Sequence, residues 1–208
     1  MKELEELNKM MPEVKGIAEE HGLNDASLSD EHYLMMVITE VCEAIQADRT
    51  NNRAMMKTFD VLTKKRSDEE FVFPDDLGKE RENFIFAYEK YIEGTVEGEL
   101  ADIVIRIISY FGLRGMGFTR LYERTREEEK ELADFLAKKT FTEVAFGLTF
   151  FVPIYDWKGV GCTIADNLTR CVALVFAWAK SLHIDLMKQI RLKVRYNAMR
   201  EYKHGKKY

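Results

Sequence analysis

Residues 99–111 read ELADIVIRIISYF. The stretch is apolar on nearly every side of a 3.6-residue period. Leu100, Val104, Ile107 and Ile108 make one stripe, while Ile103 and Tyr110 share an arc with Glu99 and Asp102. The pattern predicts a helix packed on most of its surface. Two carboxylates three residues apart on such a helix are costly, because taking a charge out of water costs several kcal/mol unless a cation compensates it.

The same device occurs earlier in the chain. Residues 33–47, YLMMVITEVCEAIQA, place Glu40 and Glu43 three apart on an arc shared with Tyr33, Met36, Val37, Ala44 and Ala47. Leu34, Ile38, Val41 and Ile45 form a second apolar stripe, so this helix is also expected to give little surface to water. An isolated Glu-x-x-Glu on a helix is usually a solvated pair. Two such pairs on two apolar helices imply that the four carboxylates converge. Hard oxygens in that number suit Mg²⁺, with Mn²⁺ as an alternative, better than zinc. Arg106, one turn beyond Asp102, is placed to brace that carboxylate or to touch a phosphate.

Around these two segments the chain reads as one all-α domain over residues 1–208. There are only three prolines, Pro12, Pro74 and Pro153, and few alternating β-branched runs. Helices are predicted over 3–21, from Ser29 to Asp48, over 79–112 with interruptions near Gly94 and Gly98, and over 125–138, 164–181 and 183–198. The polar stretch 49–78 reads as an insertion, with a short helix at 54–62. Residues 113–165 carry no chemical motif, and 141–154 suits a helix or a strand equally. No apolar run approaches the ~20 residues of a membrane span. Cys42, Cys162 and Cys171 lie far apart in apolar surroundings, which predicts buried thiols in a reducing, cytoplasmic setting.

Charge is unevenly distributed. The net charge is −5, yet residues 188–208 carry eight Lys or Arg against the single acid Glu201, which leaves this end at about +7 and the rest at about −12. Lys193, Tyr196, Asn197, Arg200, Lys203, His204 and Lys206 crowd into the last helix and the tail 199–208. Cations there offset phosphate charge, while Asn and Tyr orient a sugar or base. The acidic remainder and the lack of a helix-turn-helix, zinc finger or ribonucleoprotein motif argue against a nucleic-acid partner.

Taken in order, Ile38-Thr39-Glu40-Val41-Cys42-Glu43-Ala44, Glu97-Gly98-Glu99-Leu100-Ala101-Asp102-Ile103-Val104-Ile105-Arg106 and Tyr196-Asn197-Ala198-Met199-Arg200-Glu201-Tyr202-Lys203-His204-Gly205-Lys206 resemble the MazG-like, all-α nucleotide pyrophosphohydrolase superfamily. The resemblance covers about residues 30–48, 95–112 and the last two dozen. It implies a bundle with a four-helix core, extra helices and an insertion, forming a homodimer or homotetramer. It further implies Mg²⁺-dependent cleavage of nucleoside triphosphates to the monophosphate and pyrophosphate and, by analogy, nucleotide-pool cleaning. Glu40, Glu43, Glu99 and Asp102 would be the metal ligands, Glu40 or Glu43 the base, and the cationic end the nucleotide-binding part, with Asn197, Arg200 and Lys203 foremost. The chain departs from many members in carrying Thr39 where they have a second glutamate and Glu201 where they have proline.

Three alternatives accompany this expectation. The substrate is dUTP, its diphosphate or phosphoribosyl-ATP, with Trp157, Tyr155, Phe59 and Tyr33 as candidate base stackers. The protein is a di-iron carboxylate bundle, although Glu201-Tyr202-Lys203-His204 is its single Glu-x-x-His element and His21, His32 and His183 have no such partner. Or the acids fix packing in a non-catalytic scaffold. Neither a Gly-x-Ser-x-Gly nor a Walker loop competes with these readings.

Overall fold

A computed structural model of the chain describes residues 2–63, 74–119, 126–150, 152 and 163–200. The described residues are all-helical, with nine helices in the order α1 (Lys2–Glu20), α2 (Asp30–Arg49), α3 (Met56–Thr63), α4 (Pro74–Tyr91), α5 (Val96–Arg114), α6 (Arg126–Leu136), α7 (Phe141–Thr149), α8 (Ile164–Ser181) and α9 (Leu186–Asn197). None of them is long and apolar enough to cross a membrane.

The ELADIVIRIISYF stretch is the axis of the molecule. α5 packs against α1, α2, α8 and α9, and Leu100, Ile103, Val104, Ile107, Ile108 and Phe111 along it are fully buried. Its start is fixed chemically. The Thr95 hydroxyl accepts from the Gly98 amide at 3.2 Å and donates to the Ile92 carbonyl at 2.6 Å, capping the helix and turning the chain out of α4. Gly94, with φ +71°, makes the break between α4 and α5. The interruption expected near Gly94 is this turn, whereas Gly98, where a second was expected, lies inside the first turn of α5.

The segment after α2 clasps that turn. The Asn52 amide group donates to Gly94 O at 2.7 Å, Val96 N donates to Asn52 O at 3.1 Å, and Ala54 N donates to a Glu97 carboxylate oxygen at 2.9 Å. The beginning of the expected insertion is therefore a structural tie between the two acidic helices. α3 packs on α4, and with Tyr196 of α9 they make a small aromatic core. Phe59, Phe84 and Tyr88 lie buried there, and the Tyr88 and Tyr196 rings stack at 4.3 Å.

One open segment is decided and two expectations need correction. Residues 141–149 form a helix, because Thr140 and Glu143 close a reciprocal capping box that fixes its first turn. α2 gives more surface to water than its apolar pattern suggested: Met35, Cys42, Glu43, Gln46 and Arg49 are exposed. Cys171 is buried as expected, Cys42 is not, and Cys162 lies outside the described residues.

Candidate metal and phosphate site

Glu40 leaves α2 on its buried face and is 6% exposed, as is Glu99 in the first turn of α5. Glu43, one turn further along α2, stands at the edge of the buried face and is exposed. One carboxylate oxygen from each of Glu40, Glu43 and Glu99 lies within 4.8 Å of the other two. Carboxylate oxygens at that separation could close on one cation with slight side-chain adjustment. No histidine belongs to this group.

Burial and like charge dominate the electrostatics of the cluster. Burial and the neighbouring charges of Asp102 and Glu40 push the Glu99 carboxyl up to about 8, with Lys193 pulling only partly the other way. Burial followed by Asp102 also raises Glu40, against the pull of Arg106. One Glu99 oxygen, Oε2, is buried without a hydrogen-bond partner. A buried acceptor normally has one, and its absence beside two further carboxylates suits a cation of the hard, oxygen-seeking kind.

Two side chains answer part of the charge. Arg106 Nε donates to Glu40 Oε1 at 2.8 Å, and Lys193 Nζ to Asp102 Oδ2 at 2.7 Å. Both pairings revise the sequence expectation. Arg106 braces the acid on the facing helix rather than Asp102 on its own. Asp102 pairs with Lys193 of α9 while its charge still acts on Glu40 and Glu99.

These groups line one cavity of about 260 Å³ between α1, α2, α5 and α9. Glu40, Glu43, Glu99, Asp102, Arg106, Lys193, Asn197 and Arg200 all face it, so the acidic pairs and the final helix do meet. Asn197 Oδ1 is a second buried atom without a partner. Arg200 Nη1 stands 3.6 Å from Glu93 Oε1 and over the Tyr196 ring. Tyr196 itself lies behind the wall, its hydroxyl donating to Glu89 at 2.9 Å, with Glu93 at 3.2 Å the other acceptor in reach. It supports the site rather than lining it. Lys203, His204 and Lys206 lie outside the described residues.

The cavity has a second, apolar end that the sequence did not announce. Val14, Ile17, Ala18 and Leu23 of α1 and the turn after it, Ile105 of α5 and Tyr33 of α2 line it. Asn24 and Ser109 add a polar patch, joined by a hydrogen bond from Ser109 Oγ to Asn24 Oδ1 at 2.9 Å. The spacing 99, 102, 106, 109 along one helical face was the available signal for Ser109. Asn24 and Glu93 sit in turns and had none. Of the candidate stackers, Tyr33 borders the cavity with its hydroxyl tied to Asp25, whereas Phe59 is buried in the aromatic core. Tyr155 and Trp157 lie outside the described residues.

No protein-family model, no curated protein and no solved structure matches the chain. Its function is therefore read from the geometry of the cavity.

Proposed function

We propose that this protein is a Mg²⁺-dependent nucleoside triphosphate pyrophosphohydrolase of the MazG-like kind, cleaving between the α- and β-phosphates. The observation that supports it best is the meeting of opposites. Glu40, Glu43 and Glu99 converge within 4.8 Å on the wall of a cavity that Arg106, Lys193 and Arg200 also enter. Carboxylates alone suit a cation, and cations alone suit an anion. Both together suit a metal–polyphosphate.

The cavity's length agrees. Glu99 and Ser109, at its two ends on α5, are ten residues and therefore about 15 Å apart along the helix axis, room for a nucleotide with phosphates at the charged end and base at the apolar one. When bound, Mg²⁺ supplies polarisation of the phosphate oxygens and of the attacking water. The protein supplies the rest. Glu40 is held in place by Arg106, and Glu99 is held by the capped first turn of α5. Glu43, open to solvent, is placed to accept the water's proton. Arg200 and Lys193 offset the charge of the departing pyrophosphate.

A structural network of ion pairs would use some of the same contacts, and substitution separates the two. Glu43→Ala is expected to abolish Mg²⁺-dependent turnover while moving the melting temperature by no more than about 2 °C, because an exposed side chain is removed. Glu99→Gln is expected to raise the melting temperature in the absence of metal, since a buried, uncompensated acid disappears. Loss of stability in both variants, with no Mg²⁺-dependent turnover in the wild type, contradicts the enzyme reading, and turnover retained in Glu43→Ala contradicts the assignment of the site.

A further inference from the structure

We infer that Lys193 is a built-in stand-in for a metal ion: its ammonium holds Asp102 in the metal-free protein and gives that carboxylate up when metal and phosphate enter, moving its own charge onto the phosphate. This rests on the proposed function and concerns the order in which the site is filled.

The geometry supplies the argument. Of the four acids, three bring an oxygen within 4.8 Å of each other, and the fourth, Asp102, is charge-coupled to Glu40 and Glu99 but paired with an ammonium at 2.7 Å. The Lys193 side chain is 7% exposed and that of Asp102 15%, so the pair is shielded from water and strongly attractive. A lysine kept only to neutralise one buried acid has no need of a route to a ligand, yet Lys193 and Asp102 both line the cavity. The ammonium also lies 5.7 Å from the centroids of both Tyr88 and Tyr196, beside the pair of stacked rings, which leaves it room to swing without clashing with a further charged group. Lysine suits such an exchange. Its point charge rotates on a flexible stem, whereas the forked guanidinium of Arg106 is committed in direction to Glu40.

Exchange of partners makes opposite predictions for the two ligands. Removing the ammonium frees Asp102 for metal but takes a charge away from phosphate. Mn²⁺ affinity, read by the free-ion electron spin resonance signal without nucleotide, is expected to rise at least about tenfold in Lys193→Met. Affinity for inorganic pyrophosphate at saturating Mn²⁺, read by calorimetry, is expected to fall at least about tenfold in the same variant. Lys193→Gln, which keeps a polar end, serves where Lys193→Met loses its helical circular dichroism, with the same two signs expected.

Tighter Mn²⁺ binding together with weaker pyrophosphate binding supports the exchange. That holds even if the wild type takes up no Mn²⁺ by itself. Wild-type Mn²⁺ binding that stays the same or weakens on substitution overturns the exchange alone, as does an unchanged pyrophosphate affinity. Absence of Mn²⁺ binding in the wild type and both variants overturns the exchange and the metal site together.

Discussion

Glu99 is held up at about 8 by burial and by the charges of Asp102 and Glu40, against an ordinary value of 4.5 for the same group in the unfolded chain. Between those two values the folded protein binds a proton that the unfolded chain has lost, so rising pH favours unfolding across the window. The metal-free protein is therefore expected to melt at progressively lower temperature from pH 5.5 to 8. Glu99→Gln should flatten the slope. Saturating Mg²⁺ should flatten it too, by replacing the proton with a cation. Differential scanning calorimetry at several pH values checks all three, and a slope that survives in Glu99→Gln assigns it to another group. At this scale the sequence was informative about which acids matter and silent about their partners. The three-residue spacings of Glu40/Glu43 and Glu99/Asp102 are written into the chain. That Arg106 meets Glu40, and that Lys193 pairs with Asp102, depends on the relative rotation of α2, α5 and α9, which no spacing within a single helix specifies.

At the scale of elements, the turn between α4 and α5 places the site. A Cβ added to Gly98 would stand 2.7 Å from the Ile92 carbonyl oxygen, a backbone atom that cannot move without disturbing the Thr95 cap. Gly98→Ala is expected to cost about 1–3 kcal/mol in urea unfolding. It should also weaken metal binding, since Glu99 is the next residue. An unchanged urea midpoint would mean that the turn has slack. This break was visible in advance because Gly94 interrupts an otherwise helical pattern. The helix at 141–149 was not, since Phe141, Val144 and Phe146 suit a strand as well as a helix, and only the Thr140–Glu143 capping box decides between them. The exposed stripe of α2 was hidden for a related reason: Met35 and Cys42 count as apolar in any pattern, yet both face water.

For the whole molecule, α5 joins stability and function in one element. Ile107 is fully buried on it, and Ile107→Ala is expected to lower the unfolding free energy by about 2–5 kcal/mol, through lost burial and the cavity left behind. A loss under 1 kcal/mol in chemical denaturation would show that this position repacks easily and that α5 is less central than its contacts indicate. The all-α fold was legible because nearly every segment repeats at the helical period. The cavity was half legible. Its charged end follows from the acidic pairs and the cationic last helix, while its apolar end is assembled from α1, the turn at Asn24 and the far half of α5, residues ordinary in isolation. The account as a whole meets its most direct test in the products formed from a panel of ribo- and deoxyribonucleoside triphosphates with Mg²⁺, followed by ³¹P nuclear magnetic resonance. It predicts that at least one triphosphate yields its monophosphate and pyrophosphate in equal amounts, dependent on Mg²⁺ and lost in Glu43→Ala. Intact triphosphates across all common bases at high protein concentration, or release of orthophosphate with the diphosphate, would contradict it.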